Sequence, residues 1–196
     1  MNKSLFFSIL TFAQSLSANM GPQGFSEYAD NGVFFETGTF SGDGIQKALN
    51  AGFKEIYSIE IESVNFKNCL NRFATNENVH LFLGDSSKDL EQIIHTIDTP
   101  ITFWLDGHMC PPREDGGSNC PLIAELEQIS KHFIKTHTIL IDDMHCADTI
   151  LFDYLSKEDL IKKIFEINPN YEITFVPGGD DGEYPQNVMV AKVPNN

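Results

Sequence analysis

Five short apolar runs alternate with helix-like segments, and each run has an acid or a glycine at its last or next-to-last position. The runs are GVFFET (32–37), EIYSIEI (55–61), VHLFLG (79–84), ITFWLD (101–106) and TILIDD (138–143). Between them lie amphipathic stretches at 44–51, 63–73, 86–97 and 120–133. Strands alternating with helices predict a mostly parallel sheet covered on both faces. Ser41 or Asp43 is placed to cap the first helix, and Ser86 stands ahead of the apolar stripe of the third. The tail breaks the alternation. SKEDLIKKIFEI reads as a helix, and YEITFVPG and NVMVAKV as strands joined by a turn-rich loop. That predicts a C-terminal antiparallel β-hairpin, and with it a seven-stranded sheet. The fold class is therefore an α/β, Rossmann-like three-layer sandwich.

With 196 residues, 41% of them hydrophobic, and no shift in composition along the chain, one domain over 31–196 is expected. Residues 1–30 form a separate N-terminal segment in this reading. Lys3, the apolar run 5–13 and small residues at 15–18 have the anatomy of a short secretory signal, and equally of a helix packing on the domain. Neither that run nor a later one is long enough for a membrane span. The formal net charge of -15 argues against nucleic acid as a partner, because phosphates are repelled. Cys110 and Cys120 bracket a loop that a disulfide would close if the protein were exported.

The turn after the first strand, ETGTFSGDG, carries Gly38, Gly42 and Gly44. A dinucleotide fingerprint needs G-x-G-x-x-G, but position 40 is Phe, and a P-loop needs Gly-Lys-Ser/Thr where this chain has Gly42-Asp43-Gly44. An aspartate there repels phosphate. Bare backbone still admits a ligand closely. Glu36 stands at the strand end, Glu60 closes the second strand where an acid accepts ribose hydroxyls, and Asp85 follows the third. Three acids round one crevice suit a nucleoside with a positive centre and no phosphates. The same residue types also serve turns and helix caps.

ETGTFSGDG, YSIEIE, LGDSS and WLDGH, in this order and spacing, resemble the class I S-adenosylmethionine-dependent methyltransferases over residues 31–193. The resemblance implies that Glu36, Gly38, Thr39, Ser41 and Gly42 contact the methionine part of S-adenosylmethionine. It likewise implies Glu60 on the ribose, and Asp85 and Ser86 on the adenine.

Asp106 ends the fourth strand, and Asp142 and Asp143 end the fifth, its neighbour in such a sheet. Three converging carboxylates call for protons or a cation, and oxygen donors favour Mg²⁺ or Ca²⁺. The arrangement is similar to metal-dependent O-methyltransferases, which makes Asp106, Asp142 and Asp143 metal ligands and Asp106 part of the catalytic set. His108 or His145 is the expected general base. The insertion HMCPPREDGGSNCP departs from that family's pattern and reads as a lid or specificity loop. The activity expected is methylation of a hydroxyl on a small molecule or sugar. The alternative is an exported protein of the same fold that binds metal or glycan without methyl transfer. Cofactor supply favours the cytoplasm, the signal-like segment export, and a homodimer is compatible with either.

Overall fold

Phe34 and Phe35 are adjacent in the chain and face opposite ways. Side chains alternate along a strand, and both faces here are apolar. Phe34 packs with Phe25, Phe53 and Trp104, while Phe35 packs with Ile59, Phe103 and Leu105. A strand buried on both faces belongs in the middle of a helix-covered parallel sheet. The computed structural model describes residues 24–178 and 184–194 and has that architecture.

The elements follow in order: β1 Val33–Thr37, α1 Asp43–Ala51, β2 Glu55–Glu60, α2 Ser63–Arg72, β3 Val79–Leu83, α3 Ser86–Ile94, β4 Ile101–Leu105, α4 Leu122–Lys131, β5 Thr138–Ile141, α5 Lys157–Ile167, β6 Glu172–Gly178 and β7 Tyr184–Lys192. The sheet order is β3-β2-β1-β4-β5-β7-β6. Strands β1 to β5 pair in parallel, and β7 inserts antiparallel to both β5 and β6. This is the predicted seven-stranded Rossmann-like sandwich. α3, α4 and α5 cover one face through Leu90, Leu126 and Ile164, and α1 and α2 cover the other through Ile45, Ala48 and Cys69.

The packed core reaches back to Phe25, which the sequence assigns to the N-terminal segment. Phe25 sits 4.9 Å from Phe34 and 5.0 Å from Trp104 between ring centroids, and Thr102 Oγ1 donates to the Tyr28 carbonyl at 2.8 Å. Residues 1–18, with their signal-or-helix reading, lie outside the described residues. Among the described residues no helix is long and apolar enough to cross a membrane.

Two cap assignments change. α1 is capped by neither Ser41 nor Asp43. Gly42 takes that position at φ 84°, a left-handed conformation that glycine adopts without strain, and Asp43 pairs instead with Arg72 at 2.7 Å. At α3 the cap is Asp85, one residue ahead of Ser86, accepting from Ser87 N at 3.0 Å. All four cysteines are free thiols, so Cys110 and Cys120 are not bridged.

Candidate functional site

The strand order reverses between β1 and β4, and a ligand crevice opens beyond the carboxyl ends of strands at such a point. Here Gly38 abuts β4. A Cβ at Gly38 would lie 2.5 Å from the Asp106 carbonyl oxygen, so only glycine allows the two chains to close up. Above this floor lies a cleft in two adjoining parts sharing Gly38, Ile61, Gly107 and Met109. The larger part, about 470 Å³, includes Asp85, Ser86 and Asn119; the smaller, about 250 Å³, includes Phe40, Glu60, Asp106 and His108.

Glu60 ties the turn together. Its Oε2 accepts from Phe40 N and its Oε1 from Glu62 N, both at 2.7 Å. Phe40 is held at φ 45°, a strained conformation for a non-glycine residue, and its ring is half exposed at the mouth. Glu36 and Thr39 turn inward. Ser58 Oγ donates to Glu36 Oε2 at 2.7 Å and lies 2.6 Å from Thr39 Oγ1, forming a buried chain beneath the turn. Ser41 Oγ donates to Asp43 at the exposed rim.

Burial pushes the Glu36 carboxyl up to about 8, with the Glu60 and Asp43 charges acting the same way against the Ser58 hydrogen bond. The folded protein therefore holds a proton that the unfolded chain releases above its ordinary value of 4.5. Between those values the native state binds more protons, so stability falls as pH rises, by about 1.4 kcal/mol per pH unit for one such group. Glu36→Gln mimics the neutral form and keeps an acceptor for Ser58. Urea unfolding from pH 5 to 8 is expected to show a shallower decline in this variant than in the parent.

The larger part of the cleft is framed by α3 and α4. Asp85 is fully engaged: beyond its cap it accepts from Ser87 Oγ at 2.5 Å and Lys88 Nζ at 2.6 Å, which holds its carboxyl below the usual range despite burial. Gln128 stitches the two helices, donating to Ser86 O at 2.8 Å and accepting from Glu91 N at 2.9 Å.

Beyond β4 and β5 the acids converge. One ligand atom each from Asp106, His108 and Asp143 all lie within 4.8 Å of one another. His108 Nδ1 is 3.7 Å from Asp106 and its Nε2 3.5 Å from Asp143. Burial, then the charges of Asp142 and Asp143, raises the Asp106 carboxyl well above the usual range; burial lowers His108. Asp143 adopts φ 54°, a left-handed backbone that is uncommon for a non-glycine residue. Asp142 Oδ1 accepts from Asp143 N at 2.7 Å and Asn187 Nδ2 at 3.3 Å. Asn187, on β7, also donates to Asp143 at 3.1 Å and accepts from His145 Nδ1 at 2.6 Å. The His145 ring stacks on Tyr184 at 4.8 Å.

No family model matches the sequence, and no curated protein matches it. Solved structures do. The O-methyltransferase TomG from Streptomyces achromogenes, in complex with S-adenosylmethionine, matches at TM-score 0.60 and 13% identity, covering 89% of this chain and 80% of that one. Fibrillarin from Aeropyrum pernix, with natively bound S-adenosylmethionine, matches at TM-score 0.56 and 14% identity over 81% of this chain and 65% of that one. A putative O-methyltransferase from Klebsiella pneumoniae matches at TM-score 0.56 and 11% identity, covering 87% and 77%. The fold is that of the class I methyltransferases.

The 108–121 insertion, which lines both parts of the cleft, is pinned by one acid. Asp153 accepts from Ser118 Oγ, Asn119 N, Asn119 Nδ2 and Cys120 N at 2.7–3.1 Å. Asn119 in turn accepts from Met109 N and Arg113 N, both at 2.7 Å. Sequence reasoning missed Asp153, Asn187, Ser58 and Glu125. Ser58 lies within YSIEIE, and the other three come from later in the chain than the glycine turn. Only Asn187, a polar residue opening the apolar run VMVA, left a trace in the sequence.

Proposed function

We propose that this chain transfers a methyl group from S-adenosylmethionine to a hydroxyl of a small molecule or sugar, beside a divalent cation. The observation that carries this reading is a shared wall: Asp106 and His108 line the same part of the cleft as Glu60. Cofactor and acceptor chemistry therefore open into one space. The residues fit the cofactor. Glycine backbone forms the floor, acids rim it, and the nearby cations Lys88 and Arg113 are committed to Asp85 and Asp115, which leaves no cradle for a phosphate.

Glu60 would hold the ribose, the Asp85–Ser86 turn the adenine, and the Gly38–Gly42 backbone the methionine part. Glu36 and Thr39 would act from beneath by setting that backbone. Bound S-adenosylmethionine supplies an electrophilic methyl on a sulfonium. Asp106, His108 and Asp143 would hold the cation, with Asp142 and Asn187 orienting Asp143. Two carboxylates and an imidazole suit Mn²⁺ better than Mg²⁺, because the nitrogen donor favours the later metal. His145 donates through Nδ1 to Asn187, so its Nε2, which lies 3.4 Å from the Cys146 thiol, would have to exchange that contact for the acceptor's proton. Tyr184, stacked on His145, offers a flat surface to a sugar or aromatic ring. The charge of -15 speaks against an RNA acceptor.

Calorimetric titration with S-adenosylhomocysteine tests the cofactor assignment. Absence of binding by folded protein, with or without metal, would sink it. Thermal melts test the cation: Mn²⁺ is expected to raise the Tm of the parent and leave Asp143→Asn unmoved. Equal shifts in both would remove the metal from the proposal.

A further inference from the structure

α4 buries a carboxylate with nothing to pair it. Glu125 has no exposed surface, and neither Oε1 nor Oε2 makes a well-formed hydrogen bond, although the Thr37 and Ser86 hydroxyls approach it. Its Oε1 lies 3.2 Å from where a Cβ on Gly107 would stand. Gly107 lines both parts of the cleft. A single glycine peptide thus separates the carboxyl from the centre of the ligand space.

A lone buried carboxylate is expensive, and its usual remedies are a cation or a proton. Among the described residues no cation faces it. The groups facing Glu125 are Thr37 from β1, Ser86 and Asp85 at the head of α3, and Cys120 ahead of α4; Glu36 lies across β1. Asp85 is an acid whose charge is already taken by Lys88, and burial pushes the Cys120 thiol up to about 12, so it stays neutral. Burial raises Glu125 itself to about 7, with Asp85 adding to the rise against Ser86 and Thr37. Without a ligand it is poised to hold or lose its proton near neutrality.

Resting on the cofactor assignment above, we propose that Glu125 is the counter-charge for the cationic centre of S-adenosylmethionine. It loses its proton to solvent when the sulfonium form binds over Gly107, and keeps it when the neutral product, S-adenosylhomocysteine, binds. It acts through the Gly107 peptide as a positioning residue and touches no reacting atom. The cleft thereby distinguishes substrate from product by one charge at a place where shape differs by one methyl. The product's neutrality returns the proton and loosens the site.

Calorimetry of both ligands with EDTA-treated protein, in phosphate and in Tris at pH 7, counts the protons released. The amino and carboxylate groups are common to both ligands, so the difference isolates the sulfonium. S-adenosylmethionine is expected to release about half a proton more than the product, and its relative affinity to rise roughly tenfold from pH 6 to 8. Glu125→Gln, an isostere of the neutral form, should abolish both effects. If the Gln variant does not fold, Glu125→Met supplies an apolar side chain of similar length for the same buried position. Equal proton counts in the parent overturn the inference and leave the cofactor assignment standing. A difference that persists in the Glu125 variant overturns it in favour of Glu36 or Asp106. Failure of both ligands to bind overturns the cofactor assignment itself.

Discussion

Gly38→Ala is expected to lower the Tm by about 10 °C and to abolish S-adenosylhomocysteine binding. The residue sits at φ 82°, and an added Cβ would lie 2.5 Å from the Asp106 carbonyl oxygen and 3.0 Å from its carbonyl carbon. Both are backbone atoms. They cannot swing aside as a side-chain tip would, because β1 and β4 are paired right up to Thr37 and Leu105. Left-handed strain of 1–2 kcal/mol and a clash of similar or larger size add to roughly 3–5 kcal/mol, and about 2–4 °C of Tm accompanies each kcal/mol in a chain of this length. Gly52→Ala is the control. Gly52 has φ 90° but no atom within 4 Å of its would-be Cβ, so only the strain is expected there, a loss of about 1–2 kcal/mol. Equal losses at the two positions, measured by thermal and urea unfolding, would show that close approach to β4 is not what requires Gly38.

Glu60→Ala is expected to weaken S-adenosylhomocysteine binding by roughly 100-fold, from about 3 kcal/mol of lost charge-assisted hydrogen bonds. Two effects act together. The carboxylate that would hold the ribose is gone, and the Phe40 and Glu62 amides lose their acceptor. Phe40, left at φ 45° without that hydrogen bond, relaxes and takes the turn out of shape. Glu60→Gln discriminates between the two. A glutamine oxygen serves one of the amides, but its NH₂ must face the other donor, so most of the loss should remain. If the Gln variant binds like the parent, as read by titration calorimetry, neither the charge of Glu60 nor its second acceptor oxygen supports the ligand.

The five strand runs were legible because they are mostly apolar, and β1, β4 and β5 are buried on both faces, a pattern whose common solution is a parallel sheet between helices. The acids at 36, 60, 85, 106, 142 and 143 were legible because they interrupt those runs where strands end. Local rules failed at the caps. Gly42 displaced Ser41 and Asp43 because the backbone must turn left-handed beneath the Phe73 ring, where a Cβ would meet Cε2 at 2.6 Å. The site was only partly visible for the same kind of reason. Asp142 and Asp143 are adjacent in the chain and both accept from Asn187 on β7, yet only Asp143 groups with Asp106 and His108. Their separation is set by the left-handed backbone at Asp143 and by where β7 inserts.

By itself the sequence determined the layer order, the position of the glycine turn and which strand ends carry charge, because burial pattern and backbone freedom are properties of single segments. Tertiary structure alone decided which charges meet. Glu125 is an ordinary helix residue in the sequence. It becomes a lone carboxyl beneath the cleft only because α4 packs against Thr37 and Ser86 at the one place where Gly107 leaves no side chain in between.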